Sequence, residues 1–246
     1  MFDCKINVYI GSLLFKEYLD DEKNYSWYWF SWDTCLRTGL REKKLYDPKQ
    51  ANEIAKRAVS QLTEEHALKN GDLIFQTSLS RQSRAIQLAT KSKYSHCGIV
   101  YEEDGVFYVL EAVQPVKRTP LDNWIARGMG GKYVIKRLKN AQQVLTPEVL
   151  FKMKQTGNQF IGKDYDRTFE WSDDRIYCSE LIWKIYKRAA GIEIGKLQRL
   201  SEFDLTSKSV QEKMKERYGD KIPLDEIVIS PAAIFDSELL VTVKEN

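Results

Sequence analysis

The segment 177–183 (YCSELIW) places Cys178 in a polar turn that leads directly into apolar residues with helical spacing. A thiol in the first turn of a helix lies near unpaired backbone N–H groups and the positive end of the helix dipole. Both lower the pKa of a cysteine and favour the thiolate, which is the nucleophilic form of the side chain. The sequence therefore predicts that Cys178 is a nucleophile.

A second set of residues supplies a base and a carboxylate. His96 begins a β-rich run, 96–103, and Glu111 lies in a second β-rich run, 106–113. The dipeptide Asp104-Gly105 joins the two runs, and Asp-Gly between β-rich segments is a strong signal for a tight hairpin turn. The sequence therefore predicts a hairpin that carries both His96 and Glu111.

The hairpin turn also predicts which side chains share a face of the sheet. With a two-residue turn, Ile99 faces Leu110, and side chains alternate between faces along each strand. His96 and Glu111 then lie on one face as diagonal neighbours, roughly 7–8 Å apart at Cα. Cys97 lies on the opposite face, which we expect to be the core face. We therefore predict that Cys97 is a packing residue and not the nucleophile.

Together these side chains have the parts of a nucleophilic triad. Cys178 would attack a carbonyl, His96 would accept the thiol proton and later deliver it to the leaving group, and Glu111 would orient the imidazole. The backbone N–H of Cys178 would donate to the oxyanion. The other histidine, His66, lies among charged residues of a predicted helix, and we expect it to be a solvated surface residue. The pattern predicts a cysteine hydrolase or acyltransferase.

The composition of the chain limits the other functions that it could have. The chain has 246 residues, of which 43% are hydrophobic, and a formal net charge of +3. This content is sufficient for a folded core, and no basic or aromatic-and-basic stripe indicates a nucleic-acid partner. Four cysteines without a CxxC pair predict no disulfide framework, and two histidines without ligand spacing predict no metal site. We expect no cofactor.

The order of elements predicts two parts. Residues 1–69 form an N-terminal extension, with six aromatic residues within 25–32 and a helix that begins at Pro48, and residues 70–246 form the catalytic domain. We expect the aromatic segment to cover part of the core, with a membrane-interface or partner-docking patch as the alternative. Residues 6–15 are not apolar enough for a signal peptide. Strands cluster in the middle with helices on either side, which predicts an α+β fold with an antiparallel sheet.

The sequence from about residue 70 to 236 resembles the YiiX/YebB-like permuted papain-like proteins, a circularly permuted branch of the NlpC superfamily. Six segments carry the resemblance in the family's order: 71–76, 94–98, 107–113, 162–166, 171–180 and 229–231. The histidine strand precedes the cysteine helix, which is the permuted order.

The resemblance implies a papain-like fold, with a small antiparallel sheet or barrel against which the cysteine helix packs. It implies Cys178 as nucleophile, His96 as base and Glu111 as third residue, in agreement with the hairpin argument. Tyr165 and Tyr177 fall in family motifs, and we expect them, with Asp72, to line the substrate pocket. If Glu111 does not orient His96, Asp72 is the first alternative residue to consider for that role. The resemblance suggests a bacterial envelope location.

We therefore expect a thiol-dependent hydrolase that cleaves an amide bond, in a cell-wall-type or small peptide, through an acyl-enzyme. The first alternative is a lipid acyltransferase or lipid amidase with the same triad, because acyl-enzyme chemistry does not by itself select water as the acceptor. The second alternative is a non-catalytic binding module on a papain-like fold. A peptide, amino-acid or acyl substrate is the expected partner, and a membrane surface is not indicated.

Overall fold

The computed structural model describes residues 47–65 and 67–246, so the aromatic segment 25–32, Cys4, Cys35 and His66 lie outside the described residues. The helices are α1 Pro48–Glu64, α2 Arg81–Thr90, α3 Leu121–Ala126, α4 Ala141–Val144, α5 Pro147–Asn158, α6 Cys178–Ala190, α7 Lys208–Tyr218 and α8 Pro231–Phe235. The strands are β1 Leu73–Gln76, β2 His96–Glu103, β3 Val106–Glu111, β4 Lys117–Pro120, β5 Val134–Leu138, β6 Asp164–Tyr165, β7 Arg175–Ile176, β8 Gln198–Arg199, β9 Ile227–Val228 and β10 Leu240–Glu245.

A six-stranded antiparallel sheet forms the centre of the described chain, in the order β10-β5-β1-β2-β3-β4. Two short pairs, β6 with β7 and β8 with β9, lie outside this sheet. Helices before and after the sheet segments complete an α+β fold, as the sequence predicts.

The hairpin between β2 and β3 has the predicted register. Asp104 and Gly105 have φ values of 52° and 79°, the left-handed conformations that a two-residue hairpin turn of this kind requires. Ile99 pairs with Leu110, and the pairing continues to Glu103 with Val106. His96 and Glu111 consequently lie on the same face of the sheet.

Both faces of the sheet are buried, which corrects the expectation of a single core face. One face packs in a core cluster with α6, and this cluster includes Cys97, Ile99 and Leu110. The face of His96 and Glu111 is covered as well, because α1 and α3 contribute to a second cluster on that side. The His96 ring stacks on Trp124 of α3, with ring centroids 5.9 Å apart. His96 is therefore enclosed and does not face an open cleft.

Helix α1 contributes to this second cluster. Asp47 caps its first turn by accepting a hydrogen bond from the backbone N–H of Lys49, and Pro48 follows, as expected for a helix start. Its buried residues are Ala51, Ala55, Ala58 and Leu62. The helix ends at Glu64. The predicted division of the chain at residue 70 would separate this helix from the sheet on which it packs.

Helix α6 places Cys178 at its first position and packs beneath the sheet. Leu181, Ile182 and Ile185 are fully buried in the cluster shared with β2. Gly191 ends the helix in the left-handed conformation, with φ of 70°. None of the helices in residues 47–65 and 67–246 is long and apolar enough to cross a membrane.

Candidate active site

Cys178, His96 and Glu111 are brought together at one place in the fold. His96 is the first residue of β2, so its ring lies at the end of the strand, where the start of α6 meets the sheet. Its Nε2 atom lies 2.6 Å from Oε2 of Glu111, and the ring also hydrogen-bonds the Cys178 side chain. Because Nε2 contacts the carboxylate, Nδ1 is the nitrogen left for the thiol.

Glu111 is fully buried and is held by three side chains. Besides His96, the hydroxyl of Thr119 donates to Oε1 at 2.5 Å, and the guanidinium of Arg127 donates to the same oxygen. Burial alone would raise the pKa of Glu111, but the His96 hydrogen bond, the Arg127 charge and Thr119 outweigh it and lower the pKa to about 2. Glu111 is therefore ionised at neutral pH and fixed in position.

The same contacts favour a thiolate–imidazolium pair. Burial alone would lower the pKa of His96, but its hydrogen bonds to Cys178 and Glu111 outweigh burial and raise the pKa to about 9. Hydrogen bonds from Cys97 and from His96 outweigh burial at Cys178 and hold its pKa well below the usual value for a thiol. Both shifts favour the charge-separated pair over the neutral one.

Cys97 is a contact of Cys178 that the sequence argument did not foresee. It is fully buried in the cluster under the sheet, as its position in the strand predicts. Its side chain and its backbone N–H both hydrogen-bond the sulfur of Cys178. Burial, followed by the neighbouring Cys178 sulfur, raises the pKa of Cys97 well above its usual value. Cys97 therefore stays a thiol and acts as a donor to the thiolate.

This contact predicts opposite results for two substitutions. Cys97→Ala removes the S–H donor, whereas Cys97→Ser retains a donor of similar size. A hydrogen bond to a charged group contributes about 1.5–3 kcal/mol, so the alanine variant should raise the pKa of Cys178 by about one to two pH units. The rate of iodoacetamide alkylation at Cys178 against pH measures this change. Identical profiles for wild type, Cys97→Ala and Cys97→Ser would show that the Cys97 thiol does not stabilise the thiolate.

Asp72 is not brought to the triad. It lies just before β1, and its backbone carbonyl accepts a hydrogen bond from Val100, four residues along β2 from His96. That offset corresponds to roughly 13 Å along a strand. Both carboxylate oxygens of Asp72 accept from Arg137 at 2.7 Å. The contacts of Asp72 indicate a structural ion pair and give no support to a place in the substrate pocket.

Replacing each carboxylate with its amide separates the two roles. Glu111→Gln keeps the size and one acceptor but removes the charge that favours imidazolium, so the pH midpoint for alkylation of Cys178 should rise by about one unit or more. Asp72→Asn is the matched control, because it removes a buried carboxylate beside an arginine and should leave the midpoint unchanged. Equal midpoints in wild type and Glu111→Gln would assign the orienting role to another residue.

Tyr165 and Tyr177 lie beside Cys178 in the wall of one elongated cavity. This apolar slot has about 710 Å³ of empty space, part of it open to solvent. Its wall comes from α2, α7, the start of α6 and the segments 200–205 and 228–231. Tyr177 accepts a hydrogen bond from the backbone N–H of Ile229, and Tyr165 accepts one from Gln82 at 3.0 Å. Both tyrosines therefore line this cavity.

A metal site is not evident in the part of the chain that the structure describes. Across residues 47–65 and 67–246, no three His, Cys, Asp or Glu side chains group so that they could hold a metal ion.

Comparisons with known proteins agree with the arrangement of the elements. Residues 67–244 match the family model of the permuted papain-like amidase enzyme, YaeF/YiiX, C92 family. The chain belongs to this family. It is 53% identical over 176 residues to the YiiX protein of Escherichia coli (strain K12), a match that covers 72% of this chain and 86% of that protein. The chain is thus an amidase-type cysteine enzyme with a permuted papain-like fold.

A solved structure supports the same fold. The crystal structure of the metalloprotein YiiX from Escherichia coli O157:H7 superposes with a TM-score of 0.69 and 52% sequence identity. The match covers 72% of this chain and 97% of that one. Members of a family at this identity share their main-chain architecture, so the sheet and the helix that carries Cys178 are family features.

Proposed function

We propose that this chain hydrolyses amide bonds through a thioester on Cys178, with His96 as acid and base and Glu111 as the orienting carboxylate. The observation that carries the proposal is the 2.6 Å contact between His96 and the buried Glu111, together with the mutual pKa shifts of His96 and the neighbouring Cys178. A buried, ionised carboxylate behind an imidazole that contacts a helix-start thiol is the arrangement that activates a sulfur nucleophile. A binding module would not need to maintain this buried charge.

The first half of the reaction forms the thioester. The Cys178 thiolate attacks the amide carbonyl carbon, and negative charge develops on the carbonyl oxygen. The backbone N–H of Cys178 lies in the first turn of α6, where N–H groups lack helical partners, and it is suited to donate to that oxygen. When the C–N bond breaks, the imidazolium of His96 gives its proton to the departing amine.

The second half releases the acid. Neutral His96 removes a proton from water, the water oxygen attacks the thioester carbonyl, and the C–S bond breaks. Cys178 leaves as the thiolate, and His96 retains the proton, which restores the resting ion pair. Glu111 stays ionised throughout, because the positive charge of Arg127 and the hydroxyl of Thr119 stabilise its carboxylate. Its role is to hold the ring with Nδ1 toward the sulfur.

Two substrate classes fit this chemistry, a cell-wall-type or small peptide and a lipid amide. The same thioester could also pass its acyl group to an acceptor other than water. A specific observation, the apolar slot at Cys178, favours an acyl substrate over a peptide. Water as the acceptor is our choice because hydrolysis is the activity of the amidase family to which the chain belongs.

Product analysis in water labelled with oxygen-18 tests the proposal. The protein is incubated with a mixture of short peptides, N-acyl amino acids and phospholipids, and the products are identified by mass spectrometry. Hydrolysis predicts a carboxylic acid that carries one labelled oxygen, and Cys178→Ala should form none. Acylated acceptors without labelled acid would instead establish an acyltransferase. Turnover that persists in Cys178→Ala would contradict the nucleophile.

A further inference from the structure

Cys97 is a nucleophilic side chain that the proposed reaction does not use to form a bond. Its thiol is free and fully buried, and Cys178, which is also free, is 2% exposed. Both side chains belong to the core cluster between the sheet and α6. Within residues 47–65 and 67–246 the structure therefore holds two free thiols, and it places them in one cluster.

The packing of α6 on β2 brings the two thiols together. Cys97 is the second residue of β2, and Cys178 is the first residue of α6. The helix packs against that strand on the face to which Cys97 points. The Cys97 side chain and its backbone N–H both donate to the Cys178 sulfur. Because both residues lie on regular elements, the fold itself maintains their contact.

Of these two thiols, Cys178 is the one that a small reagent can reach. It lines the wall of the apolar slot, part of which is open to solvent, whereas Cys97 does not. The thiolate is the form of cysteine that peroxides oxidise, and His96 favours the thiolate at Cys178. Cys97 keeps its proton beside this thiolate. An oxidant is therefore expected to react first at Cys178.

We propose that Cys178 and Cys97 form a reversible disulfide when a peroxide oxidises Cys178, and that this modification protects the nucleophile from irreversible oxidation. A disulfide requires Cα atoms about 4.4–6.8 Å apart, so the second thiol must be packed directly against Cys178. Among the described residues, Cys97 is the thiol in that position. The inference does not rest on the proposed amide hydrolysis, because it concerns the chemistry of the two thiols alone.

The first step oxidises Cys178 to a sulfenic acid. The thiolate sulfur attacks one oxygen of hydrogen peroxide, the S–O bond forms and the O–O bond breaks. The departing hydroxide takes the proton of the His96 imidazolium and leaves as water, so the peroxide is reduced and His96 becomes neutral. The negative charge on the Cys178 sulfur, which helped to keep the proton on Cys97, is then gone.

The second step closes the disulfide. The Cys97 sulfur attacks the Cys178 sulfur, the S–S bond forms, the S–O bond breaks, and the hydroxyl group leaves with the Cys97 proton as a second water. The two steps convert a thiolate–imidazolium pair, a thiol and hydrogen peroxide into a disulfide, a neutral imidazole and two waters. A dithiol reductant reverses this modification, whereas a sulfenic acid without a partner thiol is oxidised further to the irreversible sulfinic acid.

Oxidation of the full-length protein tests the proposal. The protein is treated with a small excess of hydrogen peroxide, the remaining thiols are blocked with iodoacetamide, and mass spectrometry of the peptides identifies any cross-link. We expect a cross-linked peptide that joins Cys97 to Cys178 and disappears with dithiothreitol. Pairing of Cys178 with Cys4 or Cys35, or sulfinic acid at Cys178 without a cross-link, would overturn the proposal.

Removal of the second thiol should make the oxidation irreversible. After peroxide and then dithiothreitol, the wild type should recover at least about tenfold more iodoacetamide-reactive Cys178 than Cys97→Ser, whose sulfenic acid has no partner thiol. The double variant Cys4→Ser/Cys35→Ser is the matched control, because it removes two thiols but leaves the proposed pair, and it should recover like the wild type. Equal recovery in the wild type and Cys97→Ser would contradict the proposed disulfide.

A second variant guards against an effect of serine on the fold. Cys97→Ala also lacks the second sulfur and should behave like Cys97→Ser, and thermal melts show whether each variant is folded. Sulfenic acid trapped by dimedone at Cys178 should accumulate in both variants and stay low in the wild type. Equal dimedone labelling of all three proteins would show that Cys97 does not capture the oxidised sulfur. That result would end this proposal and leave Cys178 as the nucleophile of the proposed hydrolysis.

Discussion

Cys178→Ala should reduce amide hydrolysis by roughly 10⁵–10⁶-fold, because loss of a nucleophile removes the covalent route entirely. The measured quantity is kcat/KM for an amide substrate of the wild type. The fold should survive, since the first turn of α6 keeps its backbone contacts, and a thermal melt of both proteins would check this. Cys97→Ser is the matched control, because it replaces the neighbouring buried thiol, keeps a donor to Cys178 and is not predicted to bond to the substrate.

Two results would contradict this account. A Cys178→Ala protein that melts like the wild type and retains a tenth of its activity would exclude Cys178 as nucleophile. A Cys97→Ser protein with a loss as large as that of Cys178→Ala would make Cys97 the alternative. The second result is not expected, because burial and the neighbouring thiolate raise the pKa of Cys97 well above its usual value.

His96→Ala should slow the reaction by roughly 10²–10⁴-fold, the usual range for loss of a general acid and base. His66→Ala, at the other histidine of the chain, is the control and should leave kcat/KM unchanged. The loss at His96 should appear in kcat, because the proton transfers occur in the transition states. A large loss in His66→Ala with normal activity in His96→Ala would reverse the assignment.

The same residue sets the pH dependence of the wild type. His96 has a pKa raised to about 9, so its imidazolium, and with it the ion pair, is present below that value and is lost as the pH rises through it. At low pH the thiolate of Cys178 is protonated. Activity should therefore follow a bell-shaped profile with its alkaline limb near pH 9, and Glu111→Gln should move that limb to lower pH.

The register of the hairpin could be predicted from the sequence because two facts determine it. Asp104 and Gly105 both tolerate left-handed backbone, and the period of two along a strand then fixes which side chains share a face. The sequence alone therefore predicts that His96 and Glu111 lie together on one face of the sheet. The start of α6 at Cys178 was equally predictable, because a polar turn precedes a helical apolar pattern.

The contacts that tune the triad could not be predicted in this way. Thr119 and Arg127 reach Glu111 from β4 and the end of α3, elements whose position depends on packing across the sheet. A lone Arg or Thr carries no signal in the sequence that identifies its partner. The contact between Cys97 and Cys178 arises because α6 packs under the face to which Cys97 points. The alternation of side chains along the strand indicates that Cys97 is buried, but it cannot indicate that Cys178 is its neighbour.

The apolar slot depends on a still longer-range feature. Helix α7 was not predicted, and its apolar residues Val210 and Met214 face α2, more than a hundred residues earlier in the chain. Aliphatic residues at helical spacing are typical of an ordinary core, and only the packing of the two helices leaves space between them. Asp72 is predicted as a pocket residue because it heads the strand next to that of His96, and the sequence does not indicate that Arg137 is its partner.

The most direct test of the central claim compares modification with loss of function in one sample. Wild-type protein is treated with limiting iodoacetamide near pH 6, where an ordinary thiol with a pKa of about 8.5 is almost unreactive. Peptide mapping then gives the labelled fraction of each cysteine, and amide hydrolysis gives the remaining activity. Activity should fall in proportion to labelling of Cys178, with Cys4, Cys35 and Cys97 still unmodified. Loss of activity that follows another cysteine, or full activity with Cys178 labelled, would contradict the account.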